Sequence, residues 1–144
     1  MISEYGELLG SVAILRKLRM KIMNEISSQL GDLTATDLFV LTRICEGDPG
    51  LTMTDLSNLT GFSNAIITFS VDSMEEKSLV KRERGEDRRI YQVSATERGI
   101  EKYEEILVDQ GKVVDRIFSQ MSKKDRERLV TLLSELKKLL SNYF

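Results

Sequence analysis

An aspartate and two arginines at positions 87–89 are the residues of this sequence best suited to specific charge chemistry. Asp87 precedes Arg89 by two residues, a spacing that allows a forked salt bridge to hold the guanidinium in one orientation. A guanidinium held in this way can bind phosphate oxygens or enter a narrow DNA minor groove, where the potential is negative. The same charges on a helix would only solvate its surface.

The surroundings of this group carry a local positive charge, although the 144-residue chain has a net charge of −2. Six basic residues stand against the three acidic residues Glu83, Glu86 and Asp87, a local charge of +3. The basic residues are Lys77, Lys81, Arg82, Arg84, Arg88 and Arg89. One interpretation is a solvated hairpin whose opposite charges pair across its strands, each pair contributing little. The alternative is an anion-binding surface.

The element that would position these charges is a β-hairpin. Residues 79–84 and 88–93 are rich in β-branched and aromatic side chains, and Gly85-Glu86-Asp87 lies between them as a turn. Two short capped helices precede the hairpin: Thr52-x-x-Asp55 opens one, and Ser63 is a natural N-cap for the next. Gly61 suits the tight turn between them. This order is typical of a winged helix-turn-helix.

The helix that begins after Ser63 has two distinct faces. Ile67, Val71 and Met74 recur at helical spacing and should face inward. The opposite face carries Asn64, Ala65, Thr68, Phe69, Asp72 and Glu76. Asn64 can pair with adenine, Thr68 with a phosphate or base edge, and Ala65 or Phe69 with a thymine methyl group. Alternatively, a neighbouring helix buries Phe69.

Other helices are predicted around this region. A helix opened by Thr34 should bury Leu38, Leu41 and Cys45, and the helix after Thr52 should pack through Met53, Leu56 and Leu59. Apolar residues at steps of three, four and seven predict a long helix over residues 3–30 and two helices after residue 99, the last capped by Ser122. The apolar positions expected in the first of these two helices are Ile100, Tyr103, Leu107, Val114, Ile117 and Met121. Such ends need more partner surface than one small domain supplies, which favours a symmetric dimer.

Composition weakens enzymatic interpretations. The chain has no histidine and a single cysteine, so the commonest general base and a Cys-x-x-Cys metal site are both missing. On an apolar stripe, Cys45 is expected to be a buried, unreactive thiol. No apolar run is long enough to span a bilayer and no signal peptide is evident, so we expect a cytoplasmic protein that is not membrane-bound.

The residues described above resemble the MarR family of winged-helix transcription regulators. The resemblance is carried by Thr68-x-x-Val71-Asp72-x-Met74-Glu75-x-x-x-Leu79-Val80-x-Arg82, by Asp87-x-Arg89 and by Thr96-x-x-Gly99. The chain departs from the family pattern at Phe69, where arginine is frequent, and at Ser78, where glycine is usual. The loss of glycine at position 78 removes an easy left-handed helix ending.

The resemblance implies a mainly α fold with a small β-hairpin wing: a winged helix-turn-helix lobe (residues 32–98) between an N-terminal dimerisation helix (1–31) and C-terminal dimerisation helices (99–144). It implies a homodimer that binds a pseudo-palindromic double-stranded DNA operator, without a cofactor or metal, and represses transcription until a small-molecule effector binds. The expected DNA-binding residues are Ser63, Asn64, Ala65, Thr68, Phe69, Lys81, Arg82, Arg84, Asp87, Arg88 and Arg89. The alternative is an interaction module that has lost DNA binding and uses Phe69 and Ile66 as an apolar contact surface.

Overall fold

The computed structural model describes residues 2–144, which form mostly helices with one small sheet. The elements in chain order are α1 (Ile2–Leu30), α2 (Ala35–Glu46), β1 (Leu51–Thr52), α3 (Met53–Thr60), α4 (Asn64–Glu76), β2 (Val80–Arg84), β3 (Tyr91–Ala95), α5 (Glu97–Phe118) and α6 (Lys123–Leu140). The chain divides into two compact units, one ending at Gln110 and the other comprising Gly111–Phe144. The predicted fold class is confirmed.

Side-chain caps determine where the helices begin. Thr34 and Thr52 each form a complete capping box, in which the threonine hydroxyl accepts an N–H from the third helical residue and that residue's carboxylate accepts the threonine N–H. Ser63 accepts the Ile66 N–H at 3.2 Å, and Ser122 accepts the Asp125 N–H at 3.1 Å. All four helix starts lie where the sequence predicted them, because a cap depends only on residues three positions apart.

The sheet is antiparallel and has the strand order β1-β3-β2. Strands β2 and β3 pair from Val80 opposite Ala95 to Arg84 opposite Tyr91, and Leu51 of β1 lies opposite Val93. The hairpin prediction needs one correction: the second strand begins at Tyr91 and not at Arg88, so residues 85–90 form the tip. The Gly85 N–H closes this longer loop on the Ile90 carbonyl oxygen at 3.0 Å. Strand β1 was not predicted.

The core of the winged lobe (residues 32–98) lies beneath the sheet and between α2, α3 and α4. Its fully buried side chains include Leu38, Leu41, Leu56, Ile67, Val71, Met74, Leu79, Val80 and Val93. Three residues that were predicted to lie in this core are not fully buried: Leu59 is 50% exposed, and Met53 and Cys45 are partly exposed. On α5, Ile106 is fully buried while Ile100 and Leu107 remain nearly half exposed. The inward face of α5 is therefore rotated by about one residue from the predicted one, because adjacent apolar residues leave the helical phase ambiguous.

The terminal helices expose large apolar side chains. On α1 these include Tyr5, Leu8, Leu9, Val12 and Ile14, and on α6 they include Val130, Leu132, Leu133, Leu136 and Leu139. Apolar patches of this kind on a folded chain occur at protein–protein contacts, ligand-binding grooves and membrane-binding surfaces. Within residues 2–144, no helix combines the length and the apolar content needed to cross a membrane.

Candidate nucleic-acid interface

The N-terminal half of helix α4 presents an uncharged, partly apolar face to solvent. Asn64, Ala65 and Thr68 are exposed, and Phe69 is 78% exposed. The alternative interpretation, in which a neighbouring helix buries Phe69, is therefore wrong, and Phe69 is exposed as predicted. On the opposite side, the buried Ser70 hydroxyl donates a hydrogen bond to Asp37 Oδ1 at 2.6 Å. Because Asp37 also belongs to the capping box of α2, this bond fixes the orientation of α4 on the lobe.

The tip of the hairpin holds Arg89 in the predicted fork. Asp87 Oδ1 accepts hydrogen bonds from the backbone N–H and the Nε of Arg89, and Asp87 Oδ2 accepts from Nη2, each at 3.1 Å. These bonds hold the pKa of the Asp87 carboxyl below its ordinary value. The Arg89 side chain is nevertheless 89% exposed. It is thus oriented by its own loop while its outer surface stays open to a ligand.

Two further arginines and a lysine accompany Arg89 on the wing (residues 80–95). Arg84 Nη1 donates to the Arg88 carbonyl oxygen at 2.8 Å, and the Arg84 guanidinium lies 5.1 Å from the centre of the Tyr91 ring. Arg88 is exposed within the loop. Lys81 forms a 2.9 Å ion pair with Glu83, and both side chains are more than half exposed. Such exposed pairs exchange readily for other partners.

Arg82 differs from the other wing bases. Its side chain is only 20% exposed, and its guanidinium forms ion pairs with Asp72 and Glu75 of α4. The sequence places Arg82 among the expected DNA-binding residues. The spacing of Asp72 and Glu75 could have indicated this other arrangement, because residues three apart share one helix face.

A chain of backbone bonds fixes where the wing leaves α4. Ser78 has a φ of 60°, the left-handed conformation that glycine adopts most easily. The Ser78 N–H donates to the Glu75 carbonyl oxygen and the Leu79 N–H to that of Met74, which together form a Schellman ending. The Thr96 hydroxyl then donates to the Ser78 carbonyl oxygen at 2.6 Å. The serine therefore adopts the geometry that glycine would give, despite its side chain.

The Thr96-x-x-Gly99 motif secures the same junction from the other side. The Thr96 N–H donates to the Leu79 carbonyl oxygen at 3.0 Å, and the Thr96 hydroxyl accepts the Gly99 N–H at 3.0 Å. A Cβ atom on Gly99 would lie 1.9 Å from that same Leu79 oxygen. Glycine is required here because the backbones of the wing and α5 approach each other too closely for any side chain.

The structure contains a cavity of about 430 Å³ in which α1 and α2 supply most of the wall and Gln110 of α5 completes it. Arg19 and Arg43 both line it, and the Arg19 guanidinium lies 3.9 Å from the centre of the Phe39 ring. Burial, and then the positive charge of Arg43, lower the pKa of Arg19. Thr42 Oγ1 is buried at the same wall and has no hydrogen-bond partner within residues 2–144.

Cys45 lies at the wall of a separate apolar pocket formed with Ile100, Tyr103 and Leu107. Partial burial and the neighbouring Glu46 carboxylate raise the pKa of its thiol to about 11. The thiol is therefore weakly ionised, as expected of an unreactive cysteine, although it is less buried than predicted. Across residues 2–144 no group of three or more acidic or thiol side chains could hold a metal ion.

Comparison with known proteins identifies the class of this fold. Residues 33–91 match the model of the MarR family. The apo crystal structure of wild-type MarR from E. coli is similar with a TM-score of 0.79 and 22% identity, over 91% of this chain and 94% of that one. The transcriptional regulator BldR from Sulfolobus solfataricus is similar with a TM-score of 0.77 and 29% identity, over 98% of this chain and 97% of that one.

Residues 33–91 therefore match the MarR family, and the chain as a whole has the MarR winged-helix fold. The resemblance inferred from its sequence is confirmed. Members of this family are transcription regulators rather than enzymes, and they bind DNA as dimers.

Proposed function

We propose that this chain is a cytoplasmic, sequence-specific DNA-binding regulator that represses transcription and is released by a small-molecule effector. The observation that carries the proposal is the Arg89 side chain, which two hydrogen bonds to Asp87 orient while 89% of it remains exposed. A guanidinium fixed before binding loses little conformational entropy when it enters a minor groove. In this proposal the exposed face of α4 enters the adjacent major groove.

In this proposal, helix α4 and the wing make different kinds of contact with DNA. No basic residue occurs from Asn64 to Glu76, so α4 can contribute hydrogen bonds from Asn64 and Thr68 and apolar contacts from Ala65 and Phe69. The Ser63 cap at its N-terminus can receive a phosphate. Charge neutralisation then depends on the wing, through Lys81, Arg84, Arg88 and Arg89. We therefore expect an unusually large share of the affinity to come from the wing.

Fluorescence anisotropy on genomic fragments selected by binding tests this proposal. Arg89→Ala should weaken binding about tenfold or more and reduce the salt dependence by about one released ion. Arg128→Ala is the matched control, since Arg128 is an exposed arginine of α6 outside the winged lobe. If the wild-type chain shows no salt-dependent binding to any fragment, or if both variants bind equally well, the proposed interface is incorrect.

The exposed apolar faces of α1 and α6 support a homodimer. We propose that residues 1–31 and 99–144 form its interface and that two winged lobes bind half-sites roughly 34–36 Å apart on a pseudo-palindromic operator. Sedimentation equilibrium can measure the assembly. Leu132→Glu places a charge on an apolar position of α6 and should shift the dimer towards monomer, whereas Thr131→Glu at an exposed polar position should not. A wild-type chain that sediments as a monomer at all concentrations would exclude this interface.

The cavity beside Arg19 and Arg43 supports the effector part of the proposal. Two arginines against one carboxylate, that of Glu46, leave the lining of this cavity with a net positive charge. With the Phe39 ring and the Thr42 hydroxyl, it suits a small aromatic anion, which would offset the repulsion between the arginines and give Thr42 a hydrogen-bond partner. Calorimetry with salicylate as the probe, and with neutral salicylamide as its matched control, measures this preference. Salicylate should bind more tightly, and Arg43→Ala should abolish the difference. Equal binding of both compounds would remove the basis for an anionic effector.

The exposure of Phe69 and Ile66 also favours a second candidate function, a winged-helix module that binds another protein. Hydrogen exchange separates the two candidates. Protection of α4 by operator DNA supports the regulator. A stable protein partner that protects Phe69, without any DNA footprint, supports the interaction module.

A further inference from the structure

Arg82 joins the wing to α4 through three hydrogen bonds, two from its side chain and one from its backbone. Its Nη1 donates to Glu75 Oε1 at 3.1 Å, and its Nη2 donates to Asp72 Oδ1. The backbone N–H of Arg82 also donates to Glu75 Oε2, at 3.2 Å. Glu75 therefore binds both the main chain and the side chain of one β2 residue. Only 20% of the Arg82 side chain is exposed, against 89% for Arg89.

The hydrogen bond from the Arg82 backbone N–H to Glu75 satisfies a donor that would otherwise lack a partner in the sheet, because β2 is an edge strand. Strand β2 pairs with β3 on one side, and in the order β1-β3-β2 its other edge has no strand beside it. An N–H on such an edge normally turns to water or to another chain. Glu75 supplies the missing acceptor for Arg82, so α4 replaces a strand partner at this point.

The charges of α4 give the ion pairs a second effect. Its last five residues include Asp72, Glu75 and Glu76, and the helix has no basic residue to offset them. Uncompensated carboxylates on a groove-binding helix would repel the phosphates of DNA. Arg82 of β2 neutralises two of these three carboxylates, those of Asp72 and Glu75.

We infer that Arg82 is a positioning residue that holds the recognition helix and the wing as one body, and that it is not a phosphate ligand. This inference rests on the proposed DNA-binding function. It gives Asp72 and Glu75 a role in DNA recognition without contact to DNA. The relative placement of the major-groove and minor-groove contacts then depends on this three-residue cluster.

Measuring Arg82→Met in two backgrounds tests the inference. In the wild-type background the substitution should weaken operator binding about tenfold while the slope of affinity against salt concentration stays unchanged. In an Asp72→Asn/Glu75→Gln background the same substitution should cost less than about twofold, because the groups through which Arg82 acts are already neutral. Arg84→Met, on the same strand but exposed, is the comparison and should lower the slope by about one ion. Equal losses in both backgrounds, or a lower slope for Arg82→Met, would overturn the inference.

A measurement without DNA separates this inference from the proposed function. Hydrogen exchange at the Arg82 amide should accelerate about tenfold in Glu75→Ala, since the edge N–H loses its acceptor. Glu76→Ala removes the neighbouring exposed carboxylate and should leave that amide unchanged. An unchanged rate in Glu75→Ala would refute the coupling. If the wild-type chain binds no DNA, the proposed function fails, while this exchange measurement still decides whether Arg82 couples the two elements.

Discussion

The left-handed backbone at Ser78 makes the stability of the wing junction directly testable. With a φ of 60°, a residue that carries a Cβ atom pays about 1–2 kcal/mol relative to the right-handed conformation. Ser78 cannot relax, because its N–H, its carbonyl oxygen and the following N–H are all bonded to fixed backbone or side-chain partners. The strain is therefore retained in the folded state.

Ser78→Gly should remove this strain and stabilise the protein. The extra freedom of glycine in the unfolded chain offsets about 0.5–1 kcal/mol of the gain. The net increase in the free energy of unfolding should be about 0.5–1 kcal/mol, which raises the melting temperature by roughly 2–4 °C for a chain of this size. Urea titration followed by circular dichroism, at one fixed protein concentration, measures this increase.

Gly61 allows the reverse substitution as a control, from glycine to a residue that carries a Cβ atom. It has a φ of 76°, and a Cβ atom at this position would meet no atom within 4 Å. Gly61→Ala therefore introduces backbone strain without a steric clash and should destabilise by about 1 kcal/mol. If Ser78→Gly is no more stable than the wild type while the denaturant slope is unchanged, strain at this turn is not a significant energy term.

Three other changes follow from the geometry of single residues. Gly99→Ala should lower the free energy of unfolding by about 3 kcal/mol or prevent folding, because its Cβ atom would lie 1.9 Å from the Leu79 oxygen. Thermal melting measures this loss, and a melting curve like that of the wild type would contradict the close approach. The pKa of the Asp87 carboxyl, measured by NMR titration, should rise towards its ordinary value in Arg89→Ala. In the wild type the Asp87–Arg89 salt bridge should remain intact at the ordinary pKa of an aspartate and should open only as the pH falls through the lowered pKa of Asp87. The Cys45 thiol has a pKa raised from 9.0 to about 11, so at pH 8 it should react with a disulfide reagent about a hundredfold more slowly than in the unfolded chain. A similar rate in both states would show that the folded environment does not suppress its ionisation.

Local chemistry explains which parts of the fold were predictable. Thr52, Ser63 and the Asp87–Arg89 pair act on residues two or three positions away, so their structures follow from spacing alone. The inward face of α4 was also predictable, because Ile67, Val71 and Met74 form a single apolar stripe. Helix α5 carries Ile106 and Leu107 side by side, and periodicity could not determine which of them is buried.

Features that depend on distant residues were not predictable. Strand β1 has only two residues and exists because β3 lies beside it, some forty positions later in the chain. The cavity lined by Arg19 and Arg43 combines residues from Leu15 to Gln110, and no short motif predicts that combination. The ion pairs of Arg82 were missed for a different reason: its charge matched the surrounding basic residues, and only the packing of β2 on α4 separates it from them.

The junction between α4 and the wing shows how the sequence controls the geometry of the proposed interface. The Leu79 carbonyl oxygen accepts the Thr96 N–H and lies where a Gly99 side chain would be, so the start of α5 fixes the base of the wing. Further along β2, Arg82 fixes the wing to α4 through Glu75. Two attachments, one at Leu79 just before β2 and one at Arg82 within it, restrict both the position and the direction of this strand. The tip that carries Arg89 is therefore held at a defined distance and angle from the exposed face of α4, as a protein requires if it is to contact two adjacent grooves at once.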